Sequence, residues 1–181
     1  MIVFKESSVK DLEALLAVES RAFGETEGPV IAGLAKDLLA DPTAKPLFSM
    51  IALQDERIVG HILFTNALIN SYENIGSAIL APLAVDPEFQ NQGIGGRLIK
   101  EGLTTLVARN VKLVFVLGHP GYYPRYGFRP ASRYGFEAPY PIPQEVEEAW
   151  MVKELQPGYI GRITGKIFCA DTLNQPEHWR E

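Results

Sequence analysis

One stretch constrains this chain more than any other: residues 83–98, Leu-Ala-Val-Asp-Pro-Glu-Phe-Gln-Asn-Gln-Gly-Ile-Gly-Gly-Arg-Leu. An apolar strand runs to Val85 and Asp86-Pro87 turns the chain. Gly93, Gly95 and Gly96 then open a segment in which Ile94, Leu98, Ile99, Leu103, Leu106 and Val107 recur at close to one helical turn. Glycines let backbone N–H groups converge and let a ligand come near. The start of the helix adds unpaired N–H donors and the positive end of its dipole. Together they form an anion site suited to phosphate. Arg97, in the first turn, is a candidate for added positive charge.

The spacing narrows the ligand. Leu98 stands where a dinucleotide fingerprint needs its last glycine. No Gly-Lys-Ser/Thr follows, which excludes a Walker-type loop on the motif.

The rest of the chain reads as mixed α/β. Residues 2–5 form a short strand, and Ser8-Val9-Lys10-Asp11 resembles a capping box before Leu12, Leu15 and Leu16. Gly24 and Gly28-Pro29 are expected to end this helix, with a second one from Val30 to Leu39. Leu47–Leu53 and Ile58–Ile69 flank Asp55-Glu56-Arg57, a hairpin signal. Ala78–Val85 is a strand whose Pro82 requires a bulge or an unpaired edge, because proline has no N–H to donate. Lys112–Leu117 is a further strand, and Ser132–Glu137 and Trp150–Leu155 each read as one. The expected order, β-α-α-β-β-β-α-β-α-β, places antiparallel strands ahead of a strand–helix–strand unit. The tail after Gly158 has no clear assignment; packing on the core and a homodimer contact are both open to it.

Two motifs together carry a resemblance. Gln90-x-x-Gly93-x-Gly95 resembles the acyl-CoA pyrophosphate loop of the GCN5-related N-acetyltransferases (GNAT), Arg/Gln-x-x-Gly-x-Gly/Ala. Gly121-Tyr122-Tyr123-Pro124-Arg125-Tyr126-Gly127-Phe128 resembles their late aromatic motif, one helix and one strand further on. The run Gly118 to Tyr123 is most similar to the YhbS-like subgroup of predicted bacterial acetyltransferases. Asn91 departs from the pattern, since many relatives carry glycine there; asparagine tolerates a left-handed backbone better than most residues.

The resemblance implies a central mixed, mostly antiparallel sheet flanked by helices. It also implies acetyl-CoA as acyl donor and a primary amine as acceptor, the alternatives being a non-catalytic acyl-CoA-binding sensor or regulatory module and a transferase that uses another acyl-CoA. It spans residues 1–155 as the transferase domain, with 156–181 as an extension. Backbone of Leu83, Ala84 and Val85 is expected to hold the pantetheine arm. Gln90, Asn91, Gln92, Gly93, Ile94, Gly95 and Gly96 are expected to hold the pyrophosphate. Tyr123 takes the family's tyrosine position and is the expected general acid, with Tyr122 and Tyr126 as wall or core. For the general base the candidates are His119, Glu73 and a water relay. Glu25 and Glu27, between the first two helices, face the family's acceptor side.

Bulk properties set the remaining limits. A net charge of −5 over 181 residues argues against a nucleic-acid partner. No apolar run is long enough to cross a bilayer and no signal peptide is apparent, so the cytoplasm is the expected location. Cys169 is the only cysteine and is expected to have no nucleophilic role. His61, His119 and His178 lack metal-ligand spacing, so no metal site is expected. His61 falls within a strand and reads as structural.

Overall fold

The sheet grows from one tight hairpin. Asp55 and Glu56 adopt positive φ of 48° and 67°, the left-handed pair that a two-residue turn needs. This folds β2 (Phe48–Gln54) against β3 (Arg57–Ile69) in antiparallel register, Phe48 opposite Phe64. β1 (Ile2–Glu6) joins β2, and β4 (Ser77–Val85) joins β3, both antiparallel. A helical crossover then delivers β5 (Leu113–Leu117) parallel to β4. β6 (Arg129–Pro130), β7 (Phe136–Glu137), β8 (Trp150–Glu154) and β9 (Gly165–Phe168) complete the sheet. The strand order is β1-β2-β3-β4-β5-β8-β6, with β9 pairing with β3 and β7. The computed structural model describes residues 1–180. It realises the mixed, mostly antiparallel sheet with a helix on each face.

α2 (Ile94–Ala108) covers one face, burying Leu98, Ile99, Leu103 and Leu106 against Ile62, Phe64, Leu80 and Val114. α1 (Leu12–Ala40) covers the other, with Leu15 and Val18 on Ile51, Ile58 and Ala84. Its start follows the capping signal: the Ser8 N–H donates to Asp11 Oδ2 at 2.8 Å.

The expected gap between two helices is a kink. Only Gly24 leaves helical geometry, at φ 82° and ψ −179°, and helix resumes at once. Gly28 and Pro29 lie inside the second segment, because Gly28 is where that segment crosses the first. A Cβ there would fall 2.0 Å from the Ser20 carbonyl oxygen and 2.9 Å from its carbon. Both are backbone atoms and cannot step aside. Gly28→Ala is therefore expected to lower unfolding free energy by about 1–3 kcal/mol, the usual range for overpacking, in urea denaturation.

Two further expectations change. Ser132–Glu137 is a short 3-10 turn (Ser132–Tyr134) followed by a two-residue strand, because Gly135 at φ 81° breaks the run. The tail after Gly158 packs on the core. Thr172 donates through its N–H (2.9 Å) and Oγ1 (2.7 Å) to Asp41 Oδ2 at the end of α1. The Trp179 indole donates to the Leu173 carbonyl at 2.8 Å and meets the Trp150 ring edge-on at 5.5 Å. Trp150 in turn stacks on Phe115.

Candidate active site

The site begins where β4 and β5 separate. They pair only from Ser77 to Ile79, opposite Leu113 to Phe115. Beyond that, β3 advances two residues, Ile62 to Phe64, while β4 spans three, Leu83 to Leu80. The extra residue falls at Ala81–Pro82, the bulge expected of a proline without a donor. From Leu80 to Val85 the outer edge of β4 therefore has no strand partner, and a cleft opens beside it.

At the end of β4 the turn is clamped. Asp86 is buried and accepts from Arg21 Nε (2.9 Å), Arg57 Nη2 (3.2 Å) and the Glu88 N–H (3.1 Å), while its own N–H donates to the Val59 carbonyl. Burial alone would raise its carboxyl pKa. The Glu88 N–H and the two guanidinium groups outweigh burial and hold it below the ordinary value. The Gln90 side chain donates to the Val85 carbonyl at 3.0 Å. Asn91 adopts φ 63° and Gly93 φ 81°, so the backbone turns left-handed twice before α2. Asn91 thus takes the conformation that a glycine would supply.

A groove of about 520 Å³ follows, lined by Leu83, Val85, Gln90, Asn91 and Gly93 to Gly96. Tyrosines close it. A Cβ on Gly95 would fall 2.7 Å from the Tyr122 hydroxyl, and one on Gly96 2.4 Å from that of Tyr126. Those two glycines let the aromatic turn Tyr123–Tyr126 sit directly on the helix start. Ala84 points the other way, into the α1 layer, so only its backbone can face the cleft. The Gln92 side chain turns back to the Glu88 carbonyl.

The expected cation is misplaced. Arg97 projects from the far side of α2, lies 4.3 Å from the Phe4 ring centre and pairs with Glu101 at 3.0 Å. Arg125, from the aromatic turn, lines the groove instead. It also lines an adjoining cavity of about 860 Å³ that carries Lys100, Arg129 and Lys153 beside a single carboxylate, Glu154. This concentrates positive charge on a chain of net charge −5. A lone arginine inside a tyrosine-rich turn was the available sequence signal.

On the other side of β4 lies a cavity of about 490 Å³ between α1, the separated strands and the tail. Tyr123 lines it and is only 9% exposed, packed edge-on against Tyr122 and Phe128. Burial first, and the neighbouring Tyr122 second, raise its phenol above the ordinary value, so it keeps its proton at neutral pH. Glu27 lines this cavity. Phe23, Glu177, His178 and Trp179 line it too and escaped the sequence reading. Neither His119 nor Glu73 does. His119 Nδ1 accepts the Gly121 N–H at 3.0 Å, and Glu73 accepts the Ser71 N–H in the β3–β4 turn. Cys169 is half-buried; burial and Asp171 push its thiol up to about 12, which removes nucleophilic character. Among the described residues no cluster of potential metal ligands occurs, and no helix is long and apolar enough to cross a membrane.

Known proteins resemble this chain in sequence and in fold. Residues 47–130 match the family model of the acetyltransferase (GNAT) domain. The chain is 44% identical over 170 residues to YjhQ of Escherichia coli K12, an uncharacterized N-acetyltransferase, covering 93% of this chain and 92% of that one. Its structure is similar to that of the GNAT family N-acetyltransferase YhbS from Escherichia coli in complex with CoA, at a TM-score of 0.86 and 25% identity, covering 96% and 92% of the two chains. A GNAT acetyltransferase from Brucella melitensis, in complex with acetyl-CoA, shares the fold at a TM-score of 0.75 and 24% identity, over 96% and 98%.

Proposed function

The chain belongs to the GNAT acetyltransferase family, and we propose that it moves the acetyl group of acetyl-CoA directly to a primary amine, using the groove and cavity on either side of Leu83. The observation that carries this reading is the free edge of β4 running into the Gly93–Gly96 turn, with a buried Tyr123 lining the cavity beside that edge.

Acetyl-CoA supplies a thioester-activated acetyl group. The chain's residues do the rest. Exposed backbone of Leu83, Ala84 and Val85 pairs with the pantetheine amides. The turn from Gln90 to Gly96 receives the pyrophosphate, and Arg125 with the neighbouring lysines receives the remaining phosphate charge. The acceptor nitrogen bonds to the acetyl carbon as the carbon–sulfur bond breaks. Tyr123 donates its hydroxyl proton to the departing sulfur. The proton lost by the amine passes toward the titratable groups lining the cavity, Glu27, Glu177 and His178. Residues 1–155 hold acetyl-CoA and supply Tyr123, and the extension from 156 walls the acceptor side and adds Glu177 and His178 to it. The cytoplasm, which supplies acetyl-CoA, is the location that fits.

Calorimetric titration with acetyl-CoA, with ATP and NAD as controls, tests this reading. One selective site per chain is expected. Arg125→Ala should weaken binding about tenfold, the size of one charge-assisted phosphate contact. Absence of acetyl-CoA binding would overturn the reading.

A further inference from the structure

The acceptor cavity has a chemical character of its own, which rests on the acetyl-transfer reading. Its walls are apolar: Phe23, Val30 and Leu34 from α1, Pro82 from β4, and Trp179 from the C-terminal turn. Its charged lining consists of two carboxylates, Glu27 and Glu177, with His178 between the second carboxylate and Trp179. No lysine or arginine is among the residues that line it. The nearby Arg21 is already committed to Asp86 at 2.8 Å. At about 490 Å³ the space suits a small ligand.

Part of this wall, Leu173, Glu177, His178 and Trp179, comes from a segment tied down from three sides. Asp41 holds Thr172, Thr43 Oγ1 accepts the Asp171 N–H at 2.8 Å, and Trp179 is locked by its indole bond and by Trp150. The tail is thus a fixed part of the site. Tyr123, nine-tenths buried, is part of the same lining.

We infer that the acceptor is a primary amine on an uncharged apolar body, with no carboxylate beside the amine, and that Glu27 and Glu177 enforce this choice. The ammonium is the only charge the lining complements. An α-carboxylate would be brought against two like charges with no lysine or arginine in the lining to offset them, and such juxtaposition discriminates by repulsion. The apolar body is received by Phe23, Val30 and Trp179. Free amino acids are therefore rejected, and arylalkyl or alkyl amines are accepted.

Phenethylamine and phenylalanine differ only in that carboxylate and make a matched pair. Trp179 lines the cavity and is one of two tryptophans in the chain, so indole emission reads occupancy without transfer chemistry. Saturable quenching by phenethylamine is expected, with phenylalanine weaker by at least about tenfold. The gap should close in Glu27→Gln/Glu177→Gln, both exposed positions where the fold is retained. Trp179→Phe should remove the signal while leaving phenethylamine binding measurable by calorimetry. Equal or tighter binding of phenylalanine, a gap that survives the double substitution, or no binding of phenethylamine at all would each overturn the inference. If acetyl-CoA binds in the calorimeter while phenethylamine does not, this inference alone falls. If acetyl-CoA fails to bind, the transfer reading falls with it.

Discussion

Tyr123→Phe is expected to lower kcat by about 10²-fold or more at saturating substrates, the usual size of a positioned proton transfer, with acetyl-CoA affinity unchanged. The substitution keeps the ring that packs on Tyr122 and Phe128 and removes only the hydroxyl. The direction of the phenol's shift supports the assignment. A raised pKa means that the proton is retained further into the alkaline range, so the group is a competent donor throughout the neutral region. In the native protein, activity should therefore not decline through loss of this proton below about pH 10, the ordinary phenol value. The readouts are steady-state kinetics with a rapidly acetylated amine and calorimetry with acetyl-CoA on both proteins. A Phe variant with native kcat would remove Tyr123 from the donor role and leave it as packing.

The largest expected loss of stability lies away from the site, at a buried polar chain under α1. Glu19 Oε1 is 2.6 Å from His61 Nδ1, and His61 Nε2 is 2.8 Å from Ser49 Oγ, which accepts from Ser7 Oγ at 2.6 Å. Glu19 and His61 are fully buried, and Glu19 Oε2 has no partner. His61→Ala leaves the carboxyl unpaired in the core and is expected to lower unfolding free energy by about 3–5 kcal/mol. Glu19→Leu/His61→Leu should recover most of that loss, because no carboxyl is then stranded and Ser49 keeps its bond from Ser7. The pH dependence follows from the carboxyl. Burial raises Glu19 above its ordinary value, although the hydrogen bond and charge of His61 oppose this. A group with a raised folded pKa favours the fold below its unfolded value and loses that contribution as pH rises through the folded value. The deficit of His61→Ala should thus be smallest near pH 4.5 and grow toward neutrality. Urea denaturation at both pH values reads it; a deficit that shrinks on raising pH would refute the assignment.

Much of this was legible locally. Asp55-Glu56-Arg57 marked the hairpin because turn chemistry depends on adjacent residues. Pro82 marked the bulge because a missing N–H is a property of one residue. The periodicity of α2 and the glycines before it marked the groove for the same reason, and Asn91 took the left-handed conformation that its side chain tolerates. Two distant motifs, Gln90–Gly95 and Gly121–Phe128, were enough to point to the family.

What depended on packing was not legible. Gly28-Pro29 reads as a helix end, yet it sits inside α1, because the close crossing at Ser20 is a contact between segments. Arg97 is the cation nearest the glycine loop in sequence, yet its position on the far side of α2 sends it to Phe4. Arg125 reaches the groove only because the aromatic turn folds onto Gly95 and Gly96. Glu27 and Glu177 lie 150 residues apart, and nothing in either neighbourhood announces a shared cavity. Backbone propensity and turn chemistry act over a few residues and are written in them. The direction of a side chain, and what meets it from a distant segment, is decided when the layers pack.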